Sequence, residues 1–401
     1  MTRLRHRDRL RAGLRERRPH IVVATRVFTP EPVAASFRQQ ALARALERAG
    51  AQVTVLTTHA PGDRAAVEEV QDVRRWPVKR DHQGQVRGYV SYMSFDAPLA
   101  LRLLALPRVD AILAEPPPTT GLVTAAIAAG RRIPFAFYAA DVWSDATDSV
   151  EGVPGPVRAA VRWMETTVWR RAARVLTISP GVDARVRALG GPAVQTTMVG
   201  NGIDTAAFTP DGPDAGEVGP YLVYAGTVSE WQGAEVFVEA FERARRTVPQ
   251  GRLLFFSEGS GRDALERTVR ERGIEGVEFR DKIPPHQVAQ FLRGAAAGLS
   301  SITPGQGYEF ALPTKVYAAT ACGTPVIHAG TGAAHDRIRD HSLGWACDYD
   351  LETVATAMVA ALSGDHAPTP AHLRSWTEDH ASLDACADRA AQAVLASLRT
   401  D

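Results

Sequence analysis

Short apolar segments that alternate with helical stretches most constrain the fold of this 401-residue chain. The first series comprises Ile21–Ala24, Gln52–Thr57, Asp110–Ala114, Ile133–Phe137, Val175–Ile178 and Val194–Val199. The second comprises Tyr221–Ala225, Arg252–Phe256, Val277–Arg280, Ala297–Ile302 and Pro325–His328. Strands separated by amphipathic helices form parallel sheets that are covered on both faces. Two such series, in a chain too long for one core, predict an α/β protein with two doubly wound domains.

The join between the two domains is predicted within Asn201–Pro220, which is dense in Gly, Pro and Asp and has no periodicity. We therefore expect an N-terminal domain over residues 19–205 and a C-terminal domain over residues 215–375. Residues 1–18 form a basic tail with eight arginines against Asp8 and Glu16. That tail suits either a solvated, frayed segment or a basic helix on an anionic membrane. The Ala/Leu spacing of Ser382–Leu398 predicts a final helix.

The composition, 45% hydrophobic and 23% charged, is that of a soluble globular protein and excludes wholesale disorder or a collagen-like structure. The net charge of +1 conceals an imbalance. Residues 1–200 hold 29 Lys/Arg against 18 Asp/Glu, whereas residues 201–401 hold 17 against 27. Such asymmetry suggests an anionic partner for the basic half.

The sequence predicts a cytoplasmic protein. Its three cysteines show no CxxC spacing and fit a reducing compartment. No apolar run approaches the roughly 20 residues of a membrane span, and the basic N-terminus lacks the apolar core of a secretory signal.

Several nucleotide-binding and catalytic motifs are missing. The loop after the first strand has no G-x-G-x-x-G, and the chain contains no P-loop, no H-E-x-x-H and no G-x-S-x-G. These absences argue against nicotinamide-dependent oxidoreductases and P-loop NTPases.

Glycine-rich loops in the second domain are candidates for anion binding. Gly226–Gly233 and Ser257–Arg262 each follow a strand and open a helix. Glycines allow the main chain to approach a ligand, and helix N-termini favour groups such as a diphosphate. Leu312-Pro-Thr-Lys315 begins another helix, where Lys315 adds a point charge suited to phosphate. Ordinary turns and a solvated lysine remain the alternative interpretation.

In the first domain, Asp141 and Asp145 follow the strand Ile133–Phe137. Either carboxylate could orient a hydroxyl group or accept its proton, or could cap a helix, which suits Asp145 better. Near the first strand, Glu31 and Arg38 could contact a ligand or pair with each other.

A set of motifs along the chain resembles the retaining glycosyltransferases of family 4, and most closely the amino-sugar transferases of surface-polysaccharide synthesis. The first domain contributes Thr29-Pro-Glu-Pro32, Glu115-Pro-Pro-Pro-Thr-Thr-Gly121, Asp141-Val-Trp143, Ile178-Ser179 and Val199-Gly-Asn-Gly-Ile-Asp204-x-x-x-Phe208. The second contributes Tyr224-Ala-Gly226, Glu258-Gly-Ser-Gly261, Lys282-Ile-Pro284, Leu312-Pro-Thr-Lys-Val-Tyr317 and Ala321-Cys-Gly-Thr-Pro-Val326.

This resemblance implies a GT-B fold, in which two Rossmann-like domains flank a cleft and a final helix, about residues 376–401, crosses back to the first domain. It implies a nucleotide-diphosphate sugar as donor, bound mainly by the second domain without a metal or other cofactor. Asp141 would hold the acceptor or the sugar, and preorganised donors at the diphosphate would lower the barrier. The donor-binding residues it implies are Gly226, Thr227, Gln232, Glu258, Gly259, Lys282, Ile283, Glu309, Thr314, Lys315 and Val316. On the acceptor side it implies Glu31, Arg38, Trp143 and Asp145.

The sequence also departs from the family pattern. Of two glutamates usual in the family, the second is replaced by Ala318, and the first by Phe310 with Glu309 beside it. Thr227 and Gln232 stand where the family often has Arg and Lys. These departures leave open a non-catalytic nucleotide- or sugar-binding protein, a nucleotide-sugar epimerase or a sugar phosphorylase on the same fold.

The predicted partners are the nucleotide-sugar donor and a glycan, lipid-linked or small-molecule acceptor, with no nucleic acid. A cluster of arginines, Arg158, Arg162, Arg170 and Arg171, further suggests that the first domain rests on anionic lipid at the inner face of the cell membrane.

Overall fold

The computed structural model describes residues 18–31, 33–61, 70–81, 84–86, 88–148, 152–259, 261–365 and 367–398. The predicted basic tail therefore lies outside the described residues, except for Arg18. The chain divides into two compact units. The first unit comprises Met1–Val199 and Cys386–Asp401, and the second comprises Gly200–Ala385.

A seven-stranded parallel sheet forms the centre of the first unit, in the order β3-β2-β1-β4-β5-β6-β7. Its strands are β1 His20–Ala24, β2 Gln52–Thr58, β3 Val73–Trp76, β4 Ala111–Ala114, β5 Phe135–Ala139, β6 Arg174–Thr177 and β7 Thr196–Met198. The central strands are buried on both faces, as their continuous apolar sequences require. Strand order reverses between β1 and β4, which pair from Ile21↔Ala111 to Ala24↔Ala114. Ligands of doubly wound sheets bind beside such a reversal.

Helices cover both faces of this sheet. They are α1 Ala34–Arg48, α2 Tyr89–Ala105, α3 Pro118–Arg131, α4 Trp143–Asp148, α5 Gly155–Arg171 and α6 Pro180–Gly190. The longer helices bury apolar residues on one face, as α1 does with Leu42, Ala45 and Leu46. Local sequence sets their starts: Ser179 accepts a hydrogen bond from the Val182 main chain and Pro180 occupies the first turn of α6.

The second unit is built on a six-stranded parallel sheet in the order β10-β9-β8-β11-β12-β13. Its strands are β8 Tyr221–Thr227, β9 Arg252–Glu258, β10 Val277–Arg280, β11 Ala297–Ser301, β12 Val326–Ala329 and β13 Gly344–Cys347. Its helices are α7 Glu235–Ala244, α8 Arg262–Arg272, α9 Pro285–Gly294, α10 Thr314–Ala321, α11 Ala333–Asp340, α12 Leu351–Ser363 and α13 Pro370–Ala381, besides a short 3-10 turn at Glu230–Gln232. Here strand order reverses between β8 and β11.

The last helix, α14 Leu383–Ser397, begins in the second unit and continues into the first. Within the first unit, Arg48 Nη2 lies 2.8 Å from Asp388 Oδ1. Arg389 Nε donates to the Val199 carbonyl at 2.9 Å. The final helix therefore returns to the first unit, as the resemblance implied.

Both sheets have the expected doubly wound form, so the predicted fold class is confirmed. Every predicted strand is present, Val277–Arg280 with the predicted bounds and the others with shifted ends, whereas β3 and β13 were missed. Both are edge strands with mixed exposure, so neither shows the apolar run of a central strand. Among the described residues, no helix is long and apolar enough to cross a membrane.

Candidate functional site

The loop after β8 brings Lys315 against the main chain of Gly226. Gly226 has a φ of +125°, which other residues rarely adopt. A Cβ added there would lie 3.1 Å from Lys315 Nζ and 3.2 Å from its Cε. The positive φ therefore favours glycine at this turn, and a larger residue would also crowd the end of the Lys315 side chain.

Lys315 lies in the first turn of α10, and its Nζ is 4.8 Å from the centroid of the Tyr224 ring. With the Gln232 amide oriented so that both of its polar atoms are satisfied, Gln232 Oε1 accepts from Lys315 Nζ at 3.1 Å. Gln232 Nε2 then donates to the Thr227 carbonyl and to Ser229 Oγ. The structure thus places Gly226, Thr227, Gln232 and Lys315 next to one another, and their role in donor binding stays a prediction.

Within the parts of the chain that the structure describes, no carboxylate pairs with Lys315. The side chain is only partly exposed, and burial lowers the pKa of its ammonium group to about 8. An ammonium without a counter-ion, beside a glycine turn, is suited to an incoming anion.

The Gly226–Gly233 loop is fastened to neighbouring segments of the second unit. Ser301 Oγ donates to the Gln232 carbonyl at 2.5 Å, and the Thr303 main chain donates to the Trp231 carbonyl at 2.9 Å. Tyr349 Oη donates to the Gly233 carbonyl at 2.8 Å. These contacts hold the loop in place before any ligand binds, which reduces the cost of ordering it.

The remaining predicted donor residues have different environments in the second unit. Glu258 and Lys282 pair with each other at 2.6 Å, beside Gly259 and the partly buried Ile283. The Glu309 carboxylate makes a local contact, in which it accepts a hydrogen bond from the Gly305 main chain at 2.5 Å. The structure places the Val316 side chain in the core at 3% exposure, two residues before the buried Ala318. Thr314 is the first residue of α10.

In the first unit, Asp141 follows β5, and Arg38 reaches towards it from α1. Burial raises the pKa of the Asp141 carboxyl, and Arg38 partly opposes that rise. The carboxyl is nevertheless open to solvent on one side. The Arg38 guanidinium lies 4.9 Å from the Tyr138 ring centroid. An accessible carboxylate beside a held cation can orient a hydroxyl group.

Glu115, which sequence reasoning quoted in a motif but did not include among the site residues, holds Arg38. It is 4% exposed and accepts from Thr25 Oγ1 at 2.5 Å and from Gln39 Nε2 at 2.7 Å. Its third contact is Arg38 Nη2 at 3.4 Å. The signal for it was its position directly after β4, at the point where strand order reverses.

Two structural alternatives raised for the first unit are wrong, whereas the acceptor-side roles of Glu31 and Asp145 stay predictions. Glu31 does not pair with Arg38; it pairs with Arg80 at 2.8 Å. Asp145 does not cap a helix, because it lies inside α4 and makes two 2.7 Å contacts with Arg185. Sequence reasoning could not foresee these partners, which are 49 and 40 residues away.

Glu165 of α5, and not Asp145, accepts hydrogen bonds from the main-chain amides at the start of α4. This buried carboxylate accepts from the main chain of Trp143 at 2.7 Å and of Ser144 at 3.0 Å. Because Trp143 is two residues after Asp141, Glu165 fixes the turn that presents Asp141.

The arginine cluster lies on α5, where Arg158, Arg162 and Arg170 border an open groove of about 490 Å³. Arg162 pairs with Asp148, Arg158 Nε donates to the Val153 carbonyl, and Arg170 Nε donates to the Gly190 carbonyl. Lipid binding by these arginines remains a prediction. No group of three or more His, Cys, Asp or Glu residues is placed to hold a metal ion in the described ranges.

Two doubly wound sheets, each with its ligand-facing loops at the reversal of strand order, define the GT-B class of glycosyltransferase fold. The "Glycosyl transferase 4-like domain" model matches residues 35–202, and the "Glycosyl transferases group 1" model matches residues 219–364. The chain belongs to the family 4-like glycosyltransferases.

Among curated proteins, the chain is similar to a GDP-mannose-dependent alpha-(1-6)-phosphatidylinositol monomannoside mannosyltransferase from Mycolicibacterium smegmatis. The two are 28% identical over 220 residues, 49% of this chain and 57% of the relative. This chain is also 27% identical to a D-inositol 3-phosphate glycosyltransferase from Frankia alni, over 42% of this chain and 39% of that relative. The chain thus spans about half the length of the curated relatives it matches.

Solved structures share the fold. Anabaena HepE in complex with UDP and glucose superposes with a TM-score of 0.70 at 14% identity, over 94% of this chain and 100% of that one. Sucrose-phosphate synthase from Thermosynechococcus elongatus gives a TM-score of 0.67 at 18% identity, over 95% and 97%. At these identities the likeness establishes the fold alone.

Proposed function

We propose that this protein transfers a sugar from a nucleoside-diphosphate sugar to a hydroxyl group of an acceptor. The observation that carries the proposal is the Lys315 ammonium, which faces the Gly226 turn without a carboxylate partner in the described structure. Departure of a nucleoside diphosphate builds negative charge on the phosphate, and a preorganised cation with main-chain donors stabilises that charge. The named donor of the mycolicibacterial relative, GDP-mannose, belongs to the same chemical class.

The first unit is proposed to bind the acceptor. Asp141 would orient the attacking hydroxyl, while Arg38 supplies a cation that Glu115 holds in place. A glycan or lipid-linked acceptor that carries phosphate fits this pair, and the names of both curated relatives include phosphorylated inositol compounds. Transfer with retention and without a metal is the family's expectation, and peripheral attachment to a membrane belongs to the same proposal.

Nucleotide binding comes first among the tests. Calorimetry with UDP, GDP and dTDP identifies the base, and Lys315→Ala should weaken the preferred nucleotide at least about tenfold. Lys79→Ala, a lysine of the first unit, is the matched control and should bind normally. Unchanged binding by Lys315→Ala would remove Lys315 from the phosphate site.

Turnover is tested next with hexose and N-acetylhexosamine derivatives of that nucleotide and lipid-linked acceptors, with and without EDTA. NMR of the product gives the anomeric configuration. Neither transfer nor slow donor hydrolysis across the panel would refute the proposed activity.

A second candidate, a nucleotide-sugar-binding protein without turnover, is favoured by one feature. Ala318 follows Lys315 by one turn of α10 and offers no polar group to a ribose. Tight nucleotide binding combined with no turnover would favour this candidate.

A further inference from the structure

Helix α2 exposes an apolar face that nothing in the described structure covers. Val90, Leu101 and Leu104 are 61%, 70% and 55% exposed, with Met93 and Ala97 between them on the same face. The spacing of these five residues is three or four, which forms one continuous stripe on a helix. We call these five residues the α2 stripe.

The α2 stripe is not the outer face of an ordinary surface helix. Such helices turn charged side chains to the solvent, yet the only charged residues of α2 are Asp96, which is buried, and Arg102, which is partly buried. The opposite face of α2 packs Phe95, Leu99 and Leu103 into the core. A helix of 17 residues is about 26 Å long, so the stripe is large enough to be an interaction surface.

Basic side chains and a tryptophan border the α2 stripe on its β3 side. The Arg102 guanidinium lies 5.9 Å from the Trp76 ring centroid and donates to the Arg74 carbonyl at 2.6 Å. Lys79 is exposed, and its main chain donates to Ser94 Oγ of α2 at 3.0 Å. Trp76 is 41% exposed. Asp72, which directly precedes β3, is paired with Arg74 at 2.9 Å.

We propose that the α2 stripe is inserted into the surface of an anionic phospholipid bilayer. An apolar helix face with a cationic border is the pattern of an interfacial helix, and tryptophan favours the same depth. A second copy of the chain fits less well, because a two-fold contact would oppose the same basic borders. An anionic lipid surface complements both the apolar stripe and its cationic border.

The stripe begins close to the proposed acceptor residues. Tyr92 of α2 lies 6.0 Å from the Trp143 ring and 4.4 Å from the Arg26 guanidinium. Trp143 in turn follows Asp141 by two residues. On the basis of the proposed function, α2 would bring Asp141 near the head groups of a lipid-linked acceptor, because the stripe begins beside the proposed acceptor residues.

The test is co-flotation of the full chain with two kinds of vesicle, one of phosphatidylcholine alone and one that also contains 30 mol% phosphatidylglycerol. The second composition is about as anionic as a cell membrane. The Leu101→Glu/Leu104→Glu variant should bind the anionic vesicles at least about tenfold more weakly than the wild type. Val218→Glu, which alters an 85% exposed valine of the second unit, is the matched control and should bind as the wild type does. The basic residues 1–18 are present in all three proteins, so they cannot account for a difference.

Equal binding by Leu101→Glu/Leu104→Glu and the wild type would overturn the proposal, as would a wild type that does not bind. Loss of binding in Arg158→Gln/Arg162→Gln but not in the α2 variant would assign the membrane surface to α5 and also overturn it. A wild-type dimer that the α2 variant dissociates, without vesicle binding, would identify a second copy as the occupant. Nucleotide affinity measured on the same proteins separates these outcomes from failure of the proposed transfer function.

Discussion

Lys315 carries a charge that the described protein does not neutralise, so its donor affinity should depend on pH. The ammonium form, which binds phosphate, dominates below the pKa of about 8 and is lost above it. Donor affinity in the wild type should therefore fall up to about tenfold per pH unit above pH 8. Calorimetry in a buffer series from pH 6.5 to 9.5 measures this directly.

Lys315→Arg is the informative companion, because a guanidinium stays charged throughout that range. Its affinity should be weaker at pH 7 but nearly constant up to pH 9.5. A wild-type affinity that does not change between pH 7 and 9.5 would show that the ammonium is not the titrating contact.

Lys315 must keep its proton to bind phosphate, whereas the Asp141 carboxyl must lose its proton to orient a hydroxyl group. Burial raises its pKa, so the rate should rise with pH as that group ionises. Asp141→Asn keeps the shape and removes the charge, and kcat should fall at least about 100-fold.

Donor affinity should be unchanged in Asp141→Asn, because donor binding is assigned to the other unit. Asp145→Asn is the matched control on α4, where the carboxylate contacts Arg185. If both variants lost kcat equally, the effect would come from the local structure and not from Asp141.

At the scale of elements, the junction of α4 and α5 depends on Glu165. Glu165→Ala leaves the Trp143 and Ser144 amides without their acceptor in a buried place, and this should cost about 1–3 kcal/mol of unfolding free energy. Urea unfolding measures the loss, and Glu271→Ala, an exposed glutamate of α8, provides the comparison.

The functional readout of Glu165→Ala is the acceptor KM, which should rise because the turn bearing Asp141 is released. Glu165→Gln retains an oxygen acceptor and should recover part of both losses. A destabilised Glu165→Ala with normal acceptor kinetics would limit Glu165 to a structural role.

The central elements were predictable from sequence because a buried parallel strand needs an apolar run. Edge strands β3 and β13 were not, since partly buried and exposed residues alternate in β3 and only the last residue of β13 is fully buried. The Gly226 and Lys315 grouping was also predictable, because loops at a strand-order reversal converge. The partners of Glu31 and Asp145 were not, because an ion pair depends on which distant side chain is within reach.

At the scale of the whole molecule, the contacts of individual side chains explain how the acidic half of the chain could bind an anion. The C-terminal half carries ten more acidic than basic residues, yet its candidate ligand is an anion. Several of those carboxylates pair with arginines, as in the network of Glu217, Glu278, Arg252 and Arg280. No carboxylate of the described structure pairs with Lys315, so its ammonium can attract an anion although the surrounding unit is acidic.

Acid should destabilise the second unit through His328 of β12. This side chain is fully buried against Ser300, and burial lowers its pKa to about 3. Between pH 6.5 and 3 the unfolded chain binds a proton there and the folded chain does not. Stability should therefore fall by up to about 1.4 kcal/mol for each pH unit below 6.5.

His328→Gln removes the titration and should flatten this slope, so that the loss between pH 6.5 and 4.5 is about 2–3 kcal/mol smaller than in the wild type. Hydrogen exchange of peptides from β11 and β12 is the proper measurement, because two units need not unfold in one step. His286→Gln, an exposed histidine of α9, should keep the wild-type slope. If His328→Gln kept that slope too, the acid sensitivity of the second unit would have to come from its carboxylates, whose arginine partners are lost when they take up protons.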